Sequence, residues 1–373
     1  MDLTVSGARA FPATRGSSRG LPAASTVLGG TVLSLVGLTW DVQWHTDVGP
    51  DTFFTLPHLF LYAGSAVSGL ASLVVVLLTT AAQRRGKPID PIVGGKAVGV
   101  FGRTFAAPVG YLVSGVGAAM FLLYGLWDQW WHGLYGFDAV IASPPHIGLL
   151  LSVTVTIVGS AMVFAAARER RWGMIGVFGT LGVLLAFSTV TALGLQPVDA
   201  GIVDAVTVGM TFFAVLLVMM AAGFLKRPGG AVAVAVILAA VQGLFWWFSP
   251  WAARAYAGLV DLPVRDYAAG IPVMPALMPM CLIVVAALLE PLLRAGSTRS
   301  AGRISLLAGG ISGLLIAACQ PLQRAWVYSA PVPAASTIIA TGVAGAAFGV
   351  LAGFLGWRFG GMLRLLTPAE ENR

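Results

Sequence analysis

The chain alternates between long apolar runs and short polar breaks. Ten runs are long enough to cross hydrocarbon as helices: 26–44, 57–82, 105–127, 145–167, 172–193, 202–225, 229–248, 272–293, 303–320 and 333–357. A span needs about 20 apolar residues at a rise of about 1.5 Å each. The runs are continuous rather than alternating, so they read as helices and not as strands of a barrel. The pattern predicts an all-α fold, a polytopic integral membrane bundle of about ten transmembrane helices. Residues 1–24 read as a cytoplasmic tail without fixed structure. Four helices follow over 25–168, six more over 169–360, and a second cytoplasmic tail over 361–373. No small-residue cleavage pattern follows the first run, so that run is read as retained.

Composition agrees with this reading. Of 373 residues, 57% are hydrophobic and 10% are charged, where a soluble domain carries about 25% charged residues. This excludes an ordinary soluble enzyme and a disordered chain. The net charge of +7 does not mark a nucleic-acid binder, because the cations lie in clusters between apolar runs. One alternate set of breaks, with the two ends, holds 19 of the Lys and Arg; the other set holds only Arg254, Arg265 and Arg324. By the positive-inside rule both termini are cytoplasmic, in a multi-pass protein of the cell membrane. Nine of the eleven Trp fall near the outer ends of the runs, among them Trp40, Trp44, Trp131 and Trp251. Gly345, Gly349 and Gly353 recur every four residues in the last run and predict close helix packing. Glu290, at an inner end, reads as snorkelling to the interface, with a proton or ion role as the alternative. Cys281 and Cys319 show no CxxC spacing.

The candidate chemistry sits in a repeat. All four histidines fall at the outer ends of the first four runs, as His45, His58, His132 and His146. In the first unit Asp41 precedes His45 by four, Trp44 adjoins that His, Asp51 follows it by six, and Pro57 precedes His58. In the second unit the same places hold Asp128, His132, Trp131, Asp138 and Pro145 before His146. Residues i and i+4 share a helix face, so each Asp–His pair points one way. The outer loop then returns the second imidazole to the same point. Each unit thus offers one carboxylate and two imidazoles, a set that suits copper, zinc or non-haem iron. Pro57 and Pro145 suit the first position of a helix. Asp51 and Asp138, with Trp44 and Trp131, read as residues around the ligands that orient an imidazole or cap a loop. A proton relay through the same groups is the alternative chemistry.

The segment Asp41, Trp44, His45, Asp51, Thr52, Phe54, Thr55, His58 resembles the C subunit of the copper membrane monooxygenases, the particulate methane and ammonia monooxygenase family. The shared pattern is DxxWHxxxxxDTxFTxxH. The family's second motif, N-x3-H with an acidic residue six on and a further His after a Pro, is similar to Asp128, His132, Asp138 and His146, with Asp in place of Asn. The resemblance covers about residues 38–150. It implies a copper site on Asp41, His45 and His58, and another on Asp128 and His132 with His58 or His146. The carboxylate at Asp128 implies that the second site is at least as tight as the first. Copper is expected ahead of zinc or iron.

Two function classes follow. One is a copper-dependent oxidoreductase or monooxygenase, or a subunit of one, acting on a small apolar substrate at the outer face. Its partners would be the bilayer, further copies or partner monooxygenase subunits. The other is a non-catalytic membrane protein for copper binding, storage or delivery. The segments 249–271 and 321–332, with Trp251, Tyr256, Tyr267, Trp326 and Tyr328, are placed as a lid over the site.

Overall fold

Helices form where the apolar runs demand them, since every backbone N–H and C=O in hydrocarbon must be paired within its own segment. The computed structural model describes residues 20–136, 141–294 and 301–366. Its helices are α1 (Leu21–Asp47), α2 (Leu56–Arg84), α3 (Val109–Tyr135), α4 (Pro144–Ala166), α5 (Arg171–Leu193), α6 (Ala205–Leu225) and α7 (Gly230–Leu259). They continue as α8 (Val273–Leu277), α9 (Leu282–Arg294), α10 (Ala301–Val327) and α11 (Ala335–Leu363), with a 3-10 turn at Arg364–Leu366. With α8 and α9 taken as one interrupted span, ten helical segments are long and apolar enough to cross a membrane. The chain is built as a multi-pass membrane protein.

Several boundaries depart from the hydrophobic pattern. Helix α1 opens at Leu21, with Pro22 in its first turn, so 21–24 belong to the helix rather than the tail. The tail residues 1–19 and 367–373 lie outside the described residues. The third run begins as a strand. An antiparallel hairpin of β1 (Ala97–Val100) and β2 (Phe105–Pro108) precedes α3. Its turn is set by positive φ at Phe101, Gly102 and Arg103. Helix α7 continues through Pro250 to Leu259, so 249–259 is helical and not a loop.

The eighth run is apolar throughout, yet it breaks at Met278 and Pro279. Proline denies the ladder a donor and clashes with the preceding turn. Three glutamines from neighbouring helices pair the freed groups. Gln242 Nε2 donates to Pro275 O and Met278 O at 2.8 and 3.1 Å. Gln323 Nε2 donates to Ala276 O and Met278 O, and its Oε1 accepts from Met280 N. Gln320 Nε2 reaches Leu277 O at 3.0 Å. Broken helices are tolerated at membrane depth only when such partners exist.

Helices α1 and α2 form one antiparallel hairpin, α3 and α4 another, and the two pack side by side. The largest apolar core lies among α4, α5, α6 and α7, around Ile157, Leu181, Phe187, Met219 and Leu238. Leu70, Leu78, Leu122 and Leu126 stay exposed on α2 and α3, as a lipid-facing surface requires. The glycine stripe packs as its spacing predicts. A Cβ on Gly349 would lie 2.9 Å from Gly313 Cα, so α10 and α11 touch backbone to backbone. Glu290 departs from expectation: it is buried, and among the described residues neither carboxylate oxygen finds a hydrogen-bond partner. Arg324 pairs with Asp204, the residue that caps α6 by accepting from Thr207 N.

Candidate metal centre

Each helical hairpin delivers its ligands to one point. Asp41 and His45 sit on the last turns of α1, and His58 sits in the first turn of α2. Asp128 and His132 end α3, and His146 opens α4. Pro57 and Pro145 occupy the second helical position rather than the first. The physical reason holds for either place, since no N–H of the first turn has an intrahelical partner.

The first cluster holds four residues. One ligand atom from each of Asp41, His45, Asp51 and His58 lies within 4.8 Å of the others. His45 Nε2 is 3.7 Å from Asp41 Oδ1 and 3.0 Å from Asp51 Oδ2. His58 Nε2 is 3.0 Å from Asp41 Oδ1 and 3.4 Å from Asp51 Oδ2. Asp51 therefore stands among the ligand atoms themselves, not behind them. Its loop is tightly held. Asp51 Oδ1 accepts from Thr52 N, Trp44 Nε1 donates to Pro50 O, and Thr55 Oγ1 accepts from Thr52 N. Burial opposes ionisation of Asp51. The bond from His45, the charge of His58 and the Thr55 hydroxyl outweigh it and hold the carboxyl below its ordinary range.

The second cluster holds Asp128, His132 and His146, with the same 4.8 Å limit. Both Nε2 atoms stand 3.3 Å from Asp128 Oδ1. Asp138 lies outside the described residues. His58 lies with the first cluster and His146 with the second, so each hairpin closes its own set. Trp131 packs on Trp127 and Tyr135.

The arrangement fits a metal ion by three measures. The first is the tautomer. His58 Nδ1 lies 3.0 Å from Thr52 O, and His132 Nδ1 lies 3.0 Å from Gly136 O. A carbonyl only accepts, so each Nδ1 carries a proton and each Nε2 faces the carboxylates, the nitrogen left to bind a metal. The second is the spacing. A tetrahedral site with bonds of about 2.0–2.1 Å has ligand–ligand edges of about 3.3 Å, and the Nε2–oxygen distances of 3.0–3.7 Å bracket that value. The third is Asp41 Oδ1, which is buried and makes no hydrogen bond of sound geometry despite the imidazoles beside it. Two acceptors at this separation need a cation or a proton between them.

Both clusters line a single cavity of about 290 Å³. Apolar residues complete its wall, including Leu38, Leu61, Leu149, Leu150, Val190 and Leu193. Tyr62 joins the two halves. It stacks on His58 with ring centroids 5.9 Å apart, touches Phe121 of α3, and lies within electrostatic reach of Asp41, Asp51 and Asp128. Its place one turn after His58 was the available sequence signal. The aromatic residues placed as a lid do not line the cavity. Tyr256 instead packs on Trp40 and Trp44, and its hydroxyl accepts from Leu56 N. Val273, at the start of α8, does reach the cavity. Arg265, in the loop before it, donates to His45 O and Thr46 O and so closes the free carbonyl end of α1.

Comparison with known proteins finds no matching family model, no matching curated protein and no matching solved structure.

Proposed function

We propose that this protein is a membrane-embedded copper protein and acts as a copper-dependent oxidoreductase on a small apolar substrate. The observation that carries the reading is one cavity lined by two His/Asp clusters and otherwise by apolar side chains. Asp41, His45, Asp51 and His58 would hold one ion, and Asp128, His132 and His146 the other. A mixed nitrogen and oxygen set favours copper over zinc in the Irving–Williams order. The resemblance to the monooxygenase C subunit supports the same metal. Copper so held would supply one-electron chemistry with dioxygen.

The chain's own groups define what enters. The cavity is near the lower end of the roughly 300–1,000 Å³ range of small-molecule sites, so it admits a small substrate. Its leucine and valine wall favours an apolar one. Thr52 O and Gly136 O fix the ring orientation of His58 and His132. Among the described residues Tyr62 is the one tyrosine on the cavity wall, and its phenol is the group that would hold or pass a proton between the two halves.

The 19-to-3 split of Lys and Arg supports cytoplasmic termini and clusters on the outer side. Reporter fusions at Arg85 and at the C-terminus should both read as cytoplasmic, and an external signal at either would reverse the assignment. Metal analysis of protein purified in lipid tests the centre. Two equivalents of copper, a Cu(II) electron paramagnetic resonance signal and reductant-dependent oxygen uptake are expected. Copper without oxygen uptake under any reductant would leave a binding or delivery protein. Zinc alone would remove the redox reading.

A further inference from the structure

Among the described residues, one side chain from beyond Gln196 reaches the wall of the metal cavity, and that is Val273. Val273 opens α8, a helix of five residues with Pro272 before it and Met278 and Pro279 after it. A helix this short does not keep its place by its own ladder. Its last carbonyls hang on Gln242, Gln320 and Gln323, from α7 and α10. Its first turn hangs on a fourth glutamine, from α1.

That glutamine is Gln43. It stands two residues after Asp41 and two before His45, so it lies on a different face of α1 from the ligands. Gln43 and Asp47, one turn further on, are both buried. Gln43 Oε1 accepts from Val273 N at 2.9 Å, and its Nε2 donates to Ile271 O at 3.2 Å and to Asp47 Oδ2 at 2.9 Å. The two backbone partners bracket Pro272 and fix which way the amide points, because a carbonyl only accepts and an N–H only donates. The stretch before α8 is tied to α1 a second time. Arg265 N donates to Asp47 O at 2.8 Å, and the Arg265 guanidinium donates to His45 O and Thr46 O. Helix α1 thus presents its ligands on one face and grips α8 by another.

We propose that Val273 sets the size of the molecule that the metal cavity admits, and that Gln43 is the positioning residue that holds it against the cavity. Helices α1 to α4 carry the ligand side chains, and α5 lies in the largest apolar core. The α8 end is therefore the part of the wall that can shift without moving a ligand. In a cavity of about 290 Å³ one side chain matters, since packed interiors respond to a change of even one methylene. Gln43 acts through Val273 rather than on the ion, because its bonds go to the α8 end and to Asp47. A buried amide with all three bonds made holds one geometry, which an apolar side chain of the same size would not specify.

The size test rests on the proposed metal centre. It uses the copper-loaded, full-length protein and two probes that bind Cu(II), azide and 4-phenylimidazole, read by electron paramagnetic resonance. Val273→Ala breaks no hydrogen bond and should raise the affinity for 4-phenylimidazole about tenfold while azide binding holds. Gln43→Met removes the three bonds at similar size and should act the same way. The double variant should gain no more than Val273→Ala alone, since one residue acts through the other. Equal changes for the two probes, no change for either, or gains that add would each overturn the proposal. Hydrogen exchange reads the clamp without any metal. In Gln43→Met the Val273 amide should exchange about fivefold faster or more, and an unchanged rate would overturn the role of Gln43. A chain that takes up no copper would overturn the metal centre and the sizing role with it, while faster exchange in Gln43→Met would still show the clamp.

Discussion

The two hairpins carry the same sequence unit, and the described residues of the two differ in one place, the loop carboxylate of the first. In the first, a short loop returns Asp51 to the ligand atoms, and the set becomes two imidazoles and two carboxylates. In the second, the set among the described residues is two imidazoles and one carboxylate. With neutral rings Asp41 and Asp51 give the first cluster two negative charges, enough to cancel a divalent cation. Asp138, which holds the place of Asp51 in the second unit, lies outside the described residues. A repeat fixes which side chains share a helix face. The loop between the helices fixes how many donors arrive.

The largest effect should come from removing an imidazole. His58→Ala takes away the ring that contacts both Asp41 and Asp51. Loss of a partner that merely orients a ligand costs about 10–100-fold, so the first site should weaken by at least about 100-fold and lose its ion on dialysis. The second site should keep its own, since His146 rather than His58 lies beside Asp128. His146→Ala should give the mirror result. Metal counted on the two purified variants decides this, and depletion of both sites by His58→Ala would mean that the ring is shared.

Asp51→Asn probes the loop carboxylate itself. It keeps the shape and removes one charge from the first cluster only. We expect copper affinity of the first site to fall about 10–100-fold while the second holds. A chelator titration that reads both sites checks this. An unchanged first site would show that Asp51 does not act on the ion.

The first loop marks where the sequence stopped being legible. The ten spans were readable because continuous apolarity has one solution in hydrocarbon. The Asp–His pairs were readable because i and i+4 share a face whatever the rest of the fold does. Asp51 was visible by its spacing but not by its role, since its position depends on Trp44, Pro50, Thr52 and Thr55 together. The choice between His58 and His146 depends on which helices pair, and no local pattern encodes that. The break in the eighth span was hidden for a similar reason. Met278 and Pro279 can leave the helix only because Gln242, Gln320 and Gln323 lie far away in sequence and near in space.

Asp128→Asn should have a smaller effect than Asp51→Asn. Asp128 Oδ1 faces both Nε2 atoms at 3.3 Å, and an amide oxygen can still occupy that point. What is lost is the only negative charge on the described ligands of the second cluster, for a drop of about tenfold in affinity at constant fold. The first site should be unaffected. The same chelator titration reads both sites, and a change confined to the first would contradict the assignment of Asp128 to the second.

The smallest effect separates two tryptophans that hold equivalent places in the repeat. Trp44 is buried, and its Nε1 donates to Pro50 O at 2.8 Å, one residue before Asp51. Trp131 spends its contacts on Trp127 and Tyr135, away from the ligand atoms. Trp44→Phe keeps the ring against Tyr256 but leaves the Pro50 carbonyl without its donor. A hydrogen bond of this kind contributes about 1 kcal/mol, which corresponds to about fivefold in an equilibrium. That loosening should appear as a severalfold loss of copper affinity at the first site, because Asp51 must then be ordered by the ion itself. Trp131→Phe should leave the second site within twofold of wild type. Equal losses in both variants would mean that the tryptophans act through the membrane interface they share, and the bond to Pro50 would no longer account for the effect of Trp44.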